Sequence, residues 1–165
     1  MAECFYYSRI YESTHWVVLY ENAQGYADKF LEYCRDFING SQFPNIVAEI
    51  KDFTTGGGFL AKGETTPMVE MKPKKGNVKK LGAYFRAQQF GNVIFYSCLE
   101  TVESSFFAAG TSGSALYAMV RSKCKNLASW EEFMAIDGLA NLIFYKAIER
   151  FDPDYAENRR LLTQK

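Results

Sequence analysis

The chain has 165 residues, and 19 basic and 19 acidic side chains give it a formal net charge of zero. Apolar residues make up 48% and charged residues 23%, ordinary values for a soluble globular protein of one domain, whereas 16% aromatic residues is an excess. No run of about 18 apolar residues occurs, and the N-terminus lacks the basic and then apolar layout of a signal peptide. A membrane-spanning helix and an export signal are therefore not expected.

The cysteines and the histidine do not form a common metal or redox motif. The four cysteines are widely separated, without a C-x-x-C pair, and His15 is the only histidine. They are Cys4, Cys34, Cys98 and Cys124. A structural zinc site is therefore not predicted. Without an export signal the chain is expected in the reducing cytoplasm, with its thiols free.

The first third of the chain predicts two strands and a helix. Residues 4–11 and 15–21 are rich in aromatic and β-branched residues, which predicts two strands joined by a tight turn at 12–14. Apolar side chains then recur at helical spacing, which predicts a helix over 23–38 that ends at Asn39-Gly40. Its apolar face comprises Tyr26, Phe30, Tyr33, Cys34 and Phe37.

Three further strands are predicted over 45–53, 68–72 and 93–99. The glycine-rich segment 54–66 predicts a flexible hairpin or loop. The segment 78–90 fits two patterns, and its helix-forming residues, followed by Gly91 as a C-cap, favour a helix. In the alternative, a strand, one face would carry Tyr84, Arg86, Gln88 and Phe90.

The C-terminal part is predicted to be helical. A short helix is expected over 113–124 behind a loop of small residues. Ser129 and Glu132 then form a capping-box pattern ahead of a long, mostly apolar helix over 130–151. Asp152-Pro153 ends this helix, and a final polar turn follows.

Together these elements predict one α+β domain over residues 1–165. We expect a mixed or mostly antiparallel sheet of five to six strands, packed against three to four helices. The long C-terminal helix should be largely buried or shared with a partner chain. On it Asp137 and Asn141 lie four residues apart on one face, so they are expected to contact another element or water.

Asp52, Glu70 and Lys72 form the first candidate site. Glu70 and Lys72 share a face of the predicted strand, because alternate residues point the same way, and Asp52 lies near the end of the preceding strand. Carboxylates suit Mg²⁺, which prefers hard oxygen ligands, and a lysine can stabilise charge that develops on a phosphate. One alternative is therefore a Mg²⁺ site made by Asp52 and Glu70, with all three residues catalytic.

In this layout the sequence resembles the PD-(D/E)xK nuclease superfamily over residues 24–99, with Glu32 on the preceding helix as a further acid. The resemblance implies a Mg²⁺-dependent nuclease that uses the three residues above. The chain departs from the family pattern because no Pro-Asp dipeptide leads the motif, and a second Glu-x-Lys occurs at Glu49 and Lys51. Charged side chains that pair across strands explain the same residues.

A lysine-dense loop is the second candidate site. Five of the nine residues from 72 to 80 are lysines, namely Lys72, Lys74, Lys75, Lys79 and Lys80. Such a concentration of positive charge attracts phosphates, and Tyr84 and Phe85 nearby are suited to base stacking. The alternative function is nucleic-acid binding without catalysis. The balanced overall charge favours instead a solubilising loop that protects a sheet edge.

The favoured hypothesis is a non-enzymatic binding protein, without a cofactor, that engages a protein partner or self-associates. The candidate surfaces are the aromatic-rich strands and the long C-terminal helix. The sequence contains abundant aromatic residues, but no convincing nucleophile–base pair, nucleotide loop or metal cluster. An exposed apolar patch of several hundred square ångströms is the structural feature that this hypothesis requires.

Overall fold

A computed structural model describes residues 2–5, 10–41, 43, 45–55, 63–74, 81–102, 115, 118, 121, 122 and 124–163. The strands are β1 (Glu3–Cys4), β2 (Ile10–Leu19), β3 (Ile46–Thr55), β4 (Glu64–Pro73), β5 (Leu81–Phe90) and β6 (Val93–Val102). The helices are α1 (Tyr26–Gly40), α2 (Leu127–Phe151) and α3 (Tyr155–Thr163). Among these residues, no helix is both long and apolar enough to cross a membrane.

The six strands form one sheet in the order β1-β3-β4-β5-β6-β2. Neighbouring strands are antiparallel, except that the short β1 runs parallel to β3. Helices α1 and α2 pack on one face of the sheet, which we call the helix face, and the opposite face is the outer face. The predicted α+β class, mostly antiparallel sheet and long C-terminal helix are confirmed.

Aromatic side chains fill the layer between the sheet and the helices. The ring of Phe30 on α1 is fully buried and lies 4.6 Å, between centroids, from that of Tyr96 on β6. The rings of Phe144 and Phe151 on α2 approach Phe30 to 6.4 and 5.8 Å. The hydroxyl oxygens of Tyr20 and Tyr96 pair at 2.7 Å, which satisfies both polar tips inside the core. Many of the aromatic residues therefore stabilise the core.

A smaller apolar cluster lies on the outer face. Phe5 packs edge-to-face against Tyr84 and Phe53, with ring centroids 4.9 and 6.1 Å away. Ile10 and Leu99 pack against the same cluster. Phe5 follows β1 at one edge of the sheet and Ile10 begins β2 at the other edge. Both faces of the sheet therefore bury apolar side chains.

The first strand prediction needs a correction at residues 12–14. The predicted turn is wrong, because Ile10–Leu19 form one strand that pairs with β6 throughout. A register shift between Ile10 and Glu12 marks a β-bulge in this strand. Pairing with the long strand β6 gives the backbone partners across the sheet, so tertiary contacts override the local turn preference of Ser13 and Thr14.

The segment 78–90 also needs a correction. Its described part, Leu81–Phe90, is the strand β5 and not the favoured helix. The strand lies between β4 and β6, and its helix-face side chains Leu81, Ala83, Phe85 and Ala87 are buried. Helix propensity is worth only a fraction of a kcal/mol per residue, roughly ten times less than burial of several apolar side chains. The alternating pattern was the informative one.

The helix predictions are confirmed in their main features. Helix α1 begins at Tyr26, and its buried side chains are Phe30, Leu31, Cys34 and Ile38. Helix α2 begins earlier than predicted, because the capping box joins Asn126 to Ser129 and not Ser129 to Glu132. Of the predicted short helix 113–124, residues 115, 118, 121 and 122 are helical, and most of the others lie outside the described residues.

The cap of α2 gives a stability prediction. The side chain of Asn126 accepts a hydrogen bond from the backbone N–H of Ser129 at 2.9 Å. Asn126→Ala should lower the free energy of unfolding by about 0.5–2 kcal/mol, because it leaves this N–H unsatisfied. Asn126→Ser, which can accept the same bond, is the control and should retain most of the stability. Urea denaturation measures both, and equal losses in the two variants would contradict the assignment.

Candidate functional site

Glu70 on the outer face is the centre of an ion-pair network. Its side chain is buried, with Lys51 Nζ 2.8 Å from Oε2 and Lys72 Nζ 2.5 Å from Oε1. The hydroxyl of Tyr84 donates a hydrogen bond to Oε1 at 2.9 Å. Burial raises the pKa of Glu70, but the hydrogen bonds from the lysines and the tyrosine outweigh it and hold the pKa below its usual range. Glu70 is therefore an ionised carboxylate whose charge is compensated within the sheet.

Asp52 does not join this network. The register of β3 and β4 is regular, and on β3 Lys51 and Phe53 lie on the outer face. Strand alternation therefore directs Asp52 to the helix face, whereas Glu70 and Lys72 meet on the outer face. A Mg²⁺ ion bound by Asp52 and Glu70 would have to contact both faces of the sheet at once. The geometry does not fit the predicted metal centre.

The lysine-dense loop is only partly described. Lys72 pairs with Glu70, and Lys74 follows it as an exposed residue. Lys75, Lys79 and Lys80 lie outside the described residues. Phosphate or nucleic-acid contact at this loop stays a prediction.

A second polar cluster lies on the helix face between β2, β6 and α2, and Glu100 is at its centre. Glu100 is 2% exposed. Tyr11 on β2 donates its hydroxyl to Glu100 Oε2 at 3.0 Å, and Asn141 on α2 donates Nδ2–H to Oε1 at 2.8 Å. Asp137 Oδ1 lies 3.4 Å from the Tyr11 hydroxyl, and Thr14 donates to Asn141 Oδ1 at 3.2 Å. This network ties two strands to the long helix.

The protonation of Glu100 differs from that of Glu70. Burial, together with the hydrogen bond and the charge of the neighbouring Asp137, raises the pKa of Glu100 to about 8. Burial and Asp137 also raise the pKa of Glu12. No lysine or arginine contacts Glu100 among the described ion pairs. Glu100 therefore keeps its proton near neutral pH.

The same carboxylates have oxygen atoms close enough to hold a cation. One oxygen each from Glu12, Glu100 and Asp137 lies within 4.8 Å of the others, and oxygen ligands suit Mg²⁺ or Ca²⁺. However, Tyr11 and Asn141 already donate hydrogen bonds to the two oxygens of Glu100. Each donor uses one lone pair of a Glu100 oxygen, and the raised pKa of Glu100 keeps this group protonated near neutral pH, which disfavours a cation there. The cluster is satisfied as a proton-sharing network.

Two residues of this cluster, Asp137 and Asn141, were predicted from the sequence. The prediction that Asp137 and Asn141 contact another element is confirmed, because Asn141 reaches both β2 and β6. Glu100 was missed, although a signal existed. In β6 the buried side chains Ile94, Tyr96 and Cys98 alternate, and Glu100 continues their parity. An acid at such a position points to the core and requires partners.

A groove runs along the exposed side of α2. Its volume is about 700 Å³, and it lies between α2 and the ends of β3 and β4. The lining comprises Phe43, Asn45, Ile46, Pro73, Glu132, Met134, Ala135, Ile136, Gly138, Leu139 and Leu142. Most of these side chains are apolar. A volume and composition of this kind are typical of a binding site.

The wall of the groove continues into an exposed apolar strip on α2. We call this strip the α2 apolar face, and it comprises Met134, Ala135, Gly138, Leu142 and Tyr145. Leu142 is 49% exposed, and Met134 and Tyr145 are each 41% exposed. Between Glu131 and Lys146 no exposed residue of α2 is charged, and the two acids in this range, Glu132 and Asp137, are half-buried. A surface helix normally has a polar solvent side, so this face is adapted to contact something apolar.

Glu100 gives a pH prediction. The folded protein keeps a proton that the unfolded chain releases above the ordinary pKa of a glutamate, so the free energy of unfolding should fall as pH rises from about 4.5 to about 8. The fall should be a few kcal/mol and should level off above pH 8. Glu100→Gln mimics the protonated form and should remove most of this slope. Denaturation midpoints measured at several pH values test this, and an unchanged slope would contradict it.

Glu70 gives a prediction that separates a structural role from a catalytic one. Glu70→Ala removes the shared acceptor of Lys51, Lys72 and Tyr84, so it should lower the free energy of unfolding by roughly 1–3 kcal/mol. The two lysines are partly exposed, which limits the loss because water can solvate them. Glu49→Ala, an exposed change on the neighbouring strand, is the control and should have little effect. A Glu70→Ala variant of undiminished stability would favour a purely functional role.

Comparisons with known proteins do not identify a family. No family model matches the chain, and no curated protein matches it. Two solved structures are similar, namely the di-domain ARO/CYC StfQ from the steffimycin biosynthetic pathway and the di-domain ARO/CYC BexL from the BE-7585A biosynthetic pathway. The identities are 13% and 10%, the alignments cover 91% and 81% of this chain but 53% and 50% of those chains, and the TM-scores are 0.33 and 0.23. The chain thus spans about half the length of either structure, and such low TM-scores support no inference about its function.

Proposed function

We propose that this protein acts by binding an apolar partner surface, and that the site is the groove together with the α2 apolar face. The proposal rests on one observation, which is that the groove and the α2 apolar face are continuous. Leu142, Met134 and Gly138 line the groove and also belong to the exposed strip of α2. A partner can therefore fill the groove and cover the strip in a single contact.

The energetics of exposed apolar surface support a binding role. Each large apolar side chain removed from water contributes on the order of 1–2 kcal/mol, and three such side chains are exposed on one helix face here. Scattered exposed apolar residues are common, but a contiguous group beside a groove marks interaction sites. Covering this surface supplies a driving force without any polar contact.

The polar clusters support binding in preference to catalysis at these residues. Glu70 is compensated by two lysines and a tyrosine, and Glu100 is engaged by a tyrosine and an asparagine. Both carboxyl groups are buried, and their hydrogen bonds are made within the chain. A substrate would have to break these contacts before it could use either group.

A neutral apolar dye provides the test. Nile red should bind the wild-type protein at submicromolar protein concentration, and Leu142→Glu should weaken this binding by about fivefold or more, because a buried carboxylate is unfavourable in an apolar groove. Leu19→Glu makes the same chemical change at a leucine that is 73% exposed on β2, outside the groove, and should leave dye binding unchanged. Fluorescence titration measures all three proteins. Equal affinities in the three proteins would refute the proposal.

A further inference from the structure

We infer that the occupant of the α2 apolar face is a second copy of this chain, with the two α2 helices packed antiparallel across a twofold axis near Gly138. This inference rests on the proposed function and names the partner for the same surface. A twofold interface brings the same patch of both copies together, so the patch must be complementary to itself. Three properties of α2 meet that requirement.

The first property is the arrangement of large and small side chains. From Ala135 through Gly138 and Leu142 to Tyr145, the exposed positions of the face are spaced three, four and three residues apart. This is the spacing at which one helix packs along another. The small residues Ala135 and Gly138 precede the large residues Leu142 and Tyr145 along the helix, and Met134 lies beside Ala135. In an antiparallel pair about Gly138, Leu142 of one copy therefore lies at the height of Met134 and Ala135 of the other copy, and this match occurs twice.

The second property is the glycine itself. Gly138 is in the middle of a 25-residue helix and is exposed, and a Cβ added there would meet nothing within 4 Å. A glycine inside a helix is about 1 kcal/mol less favourable than alanine. No described contact within one copy requires the missing side chain. A second helix that crosses at Gly138 would use the space to bring the two backbones close together.

The third property is charge. Glu131 lies about two helical turns before Gly138, and Lys146 lies about two turns after it. In the antiparallel pair, Glu131 of each copy therefore lies beside Lys146 of the other copy. Lys146 also contacts Glu149 in its own helix, with 2.8 Å between Nζ and Oε2. The zero net charge of the chain adds no long-range repulsion between two copies.

The groove is better suited to side chains than to an anionic ligand. Its described lining contains one carboxylate and one amide, from Glu132 and Asn45, and no basic residue. The exposed Leu142 and Met134 of a second copy are apolar side chains of a size that such a groove can accommodate. The self-association inferred here thus uses both parts of the proposed site.

Sedimentation of the full chain tests this inference. Over roughly 1–200 µM protein, the weight-average mass of the wild type should rise from 18.8 kDa towards twice that value. Leu142→Glu should abolish the rise, and Leu19→Glu should not. Gly138→Gln should keep or raise the denaturation midpoint of the monomer, since glutamine favours helix, and should block association. A wild type that stays monomeric, or a Gly138→Gln variant that still dimerises, would overturn the inference.

A charge exchange provides the sharpest control. Glu131→Lys and Lys146→Glu each place like charges together twice in the pair, so each should weaken dimerisation by roughly tenfold at low salt. The double variant restores two opposite-charge pairs and should recover the wild-type affinity. Failure of the double variant to recover would overturn the antiparallel register. Glu131→Lys should still bind Nile red, so that a failure of dimerisation and a failure of the proposed binding surface give different results.

Discussion

The structure depends on the packing of α2 against the helix face of the sheet. A single helix of 25 residues contributes ten buried side chains, and its aromatic residues meet those of α1 and β6 in one layer. Removing α2 would expose the apolar side chains of β5 and β6 that it covers. The helix also has an exposed side, and the contrast between its two sides determines where the protein can bind.

The sheet buries two glutamates, and it compensates them in opposite ways. On the outer face Glu70 receives two lysines and a tyrosine, so the ionised form is stabilised and its pKa falls. On the helix face, burial and the neighbouring carboxylate of Asp137 stabilise the neutral form of Glu100 and raise its pKa, although Tyr11 donates a hydrogen bond to it. The difference follows from location. Lysines can reach the outer face and leave their ammonium groups partly in water, whereas the core beneath α2 excludes them.

The exposed side of α2 combines two features that one isolated copy does not explain. Leu142, Met134 and Tyr145 present apolar surface to water, and Gly138 weakens the helix at an exposed position. Both features are unfavourable for a free helix and favourable for a helix that another helix covers. The groove beside α2 extends the same surface towards the ends of β3 and β4. A single contact with another helix can therefore offset both the exposed apolar surface and the unfavourable glycine.

The sequence by itself determined α1, α2 and most of the strands, because periodicity at 3.6 and at 2 residues is a local property of the chain. It also located the polar pair Asp137 and Asn141, since two such residues on an apolar helix require partners. It could not exclude the continuous β2 or the strand β5, because pairing with a distant neighbour outweighs local turn and helix preferences. It could not show that Asp52 lies on the other face of the sheet from Glu70 and Lys72, because the face of a strand residue depends on the register with the next strand. The contacts of Glu100 with Asp137 and Asn141, and the position of the groove beside the exposed face of α2, depend on how α2 packs against the sheet. Only the tertiary structure decided them.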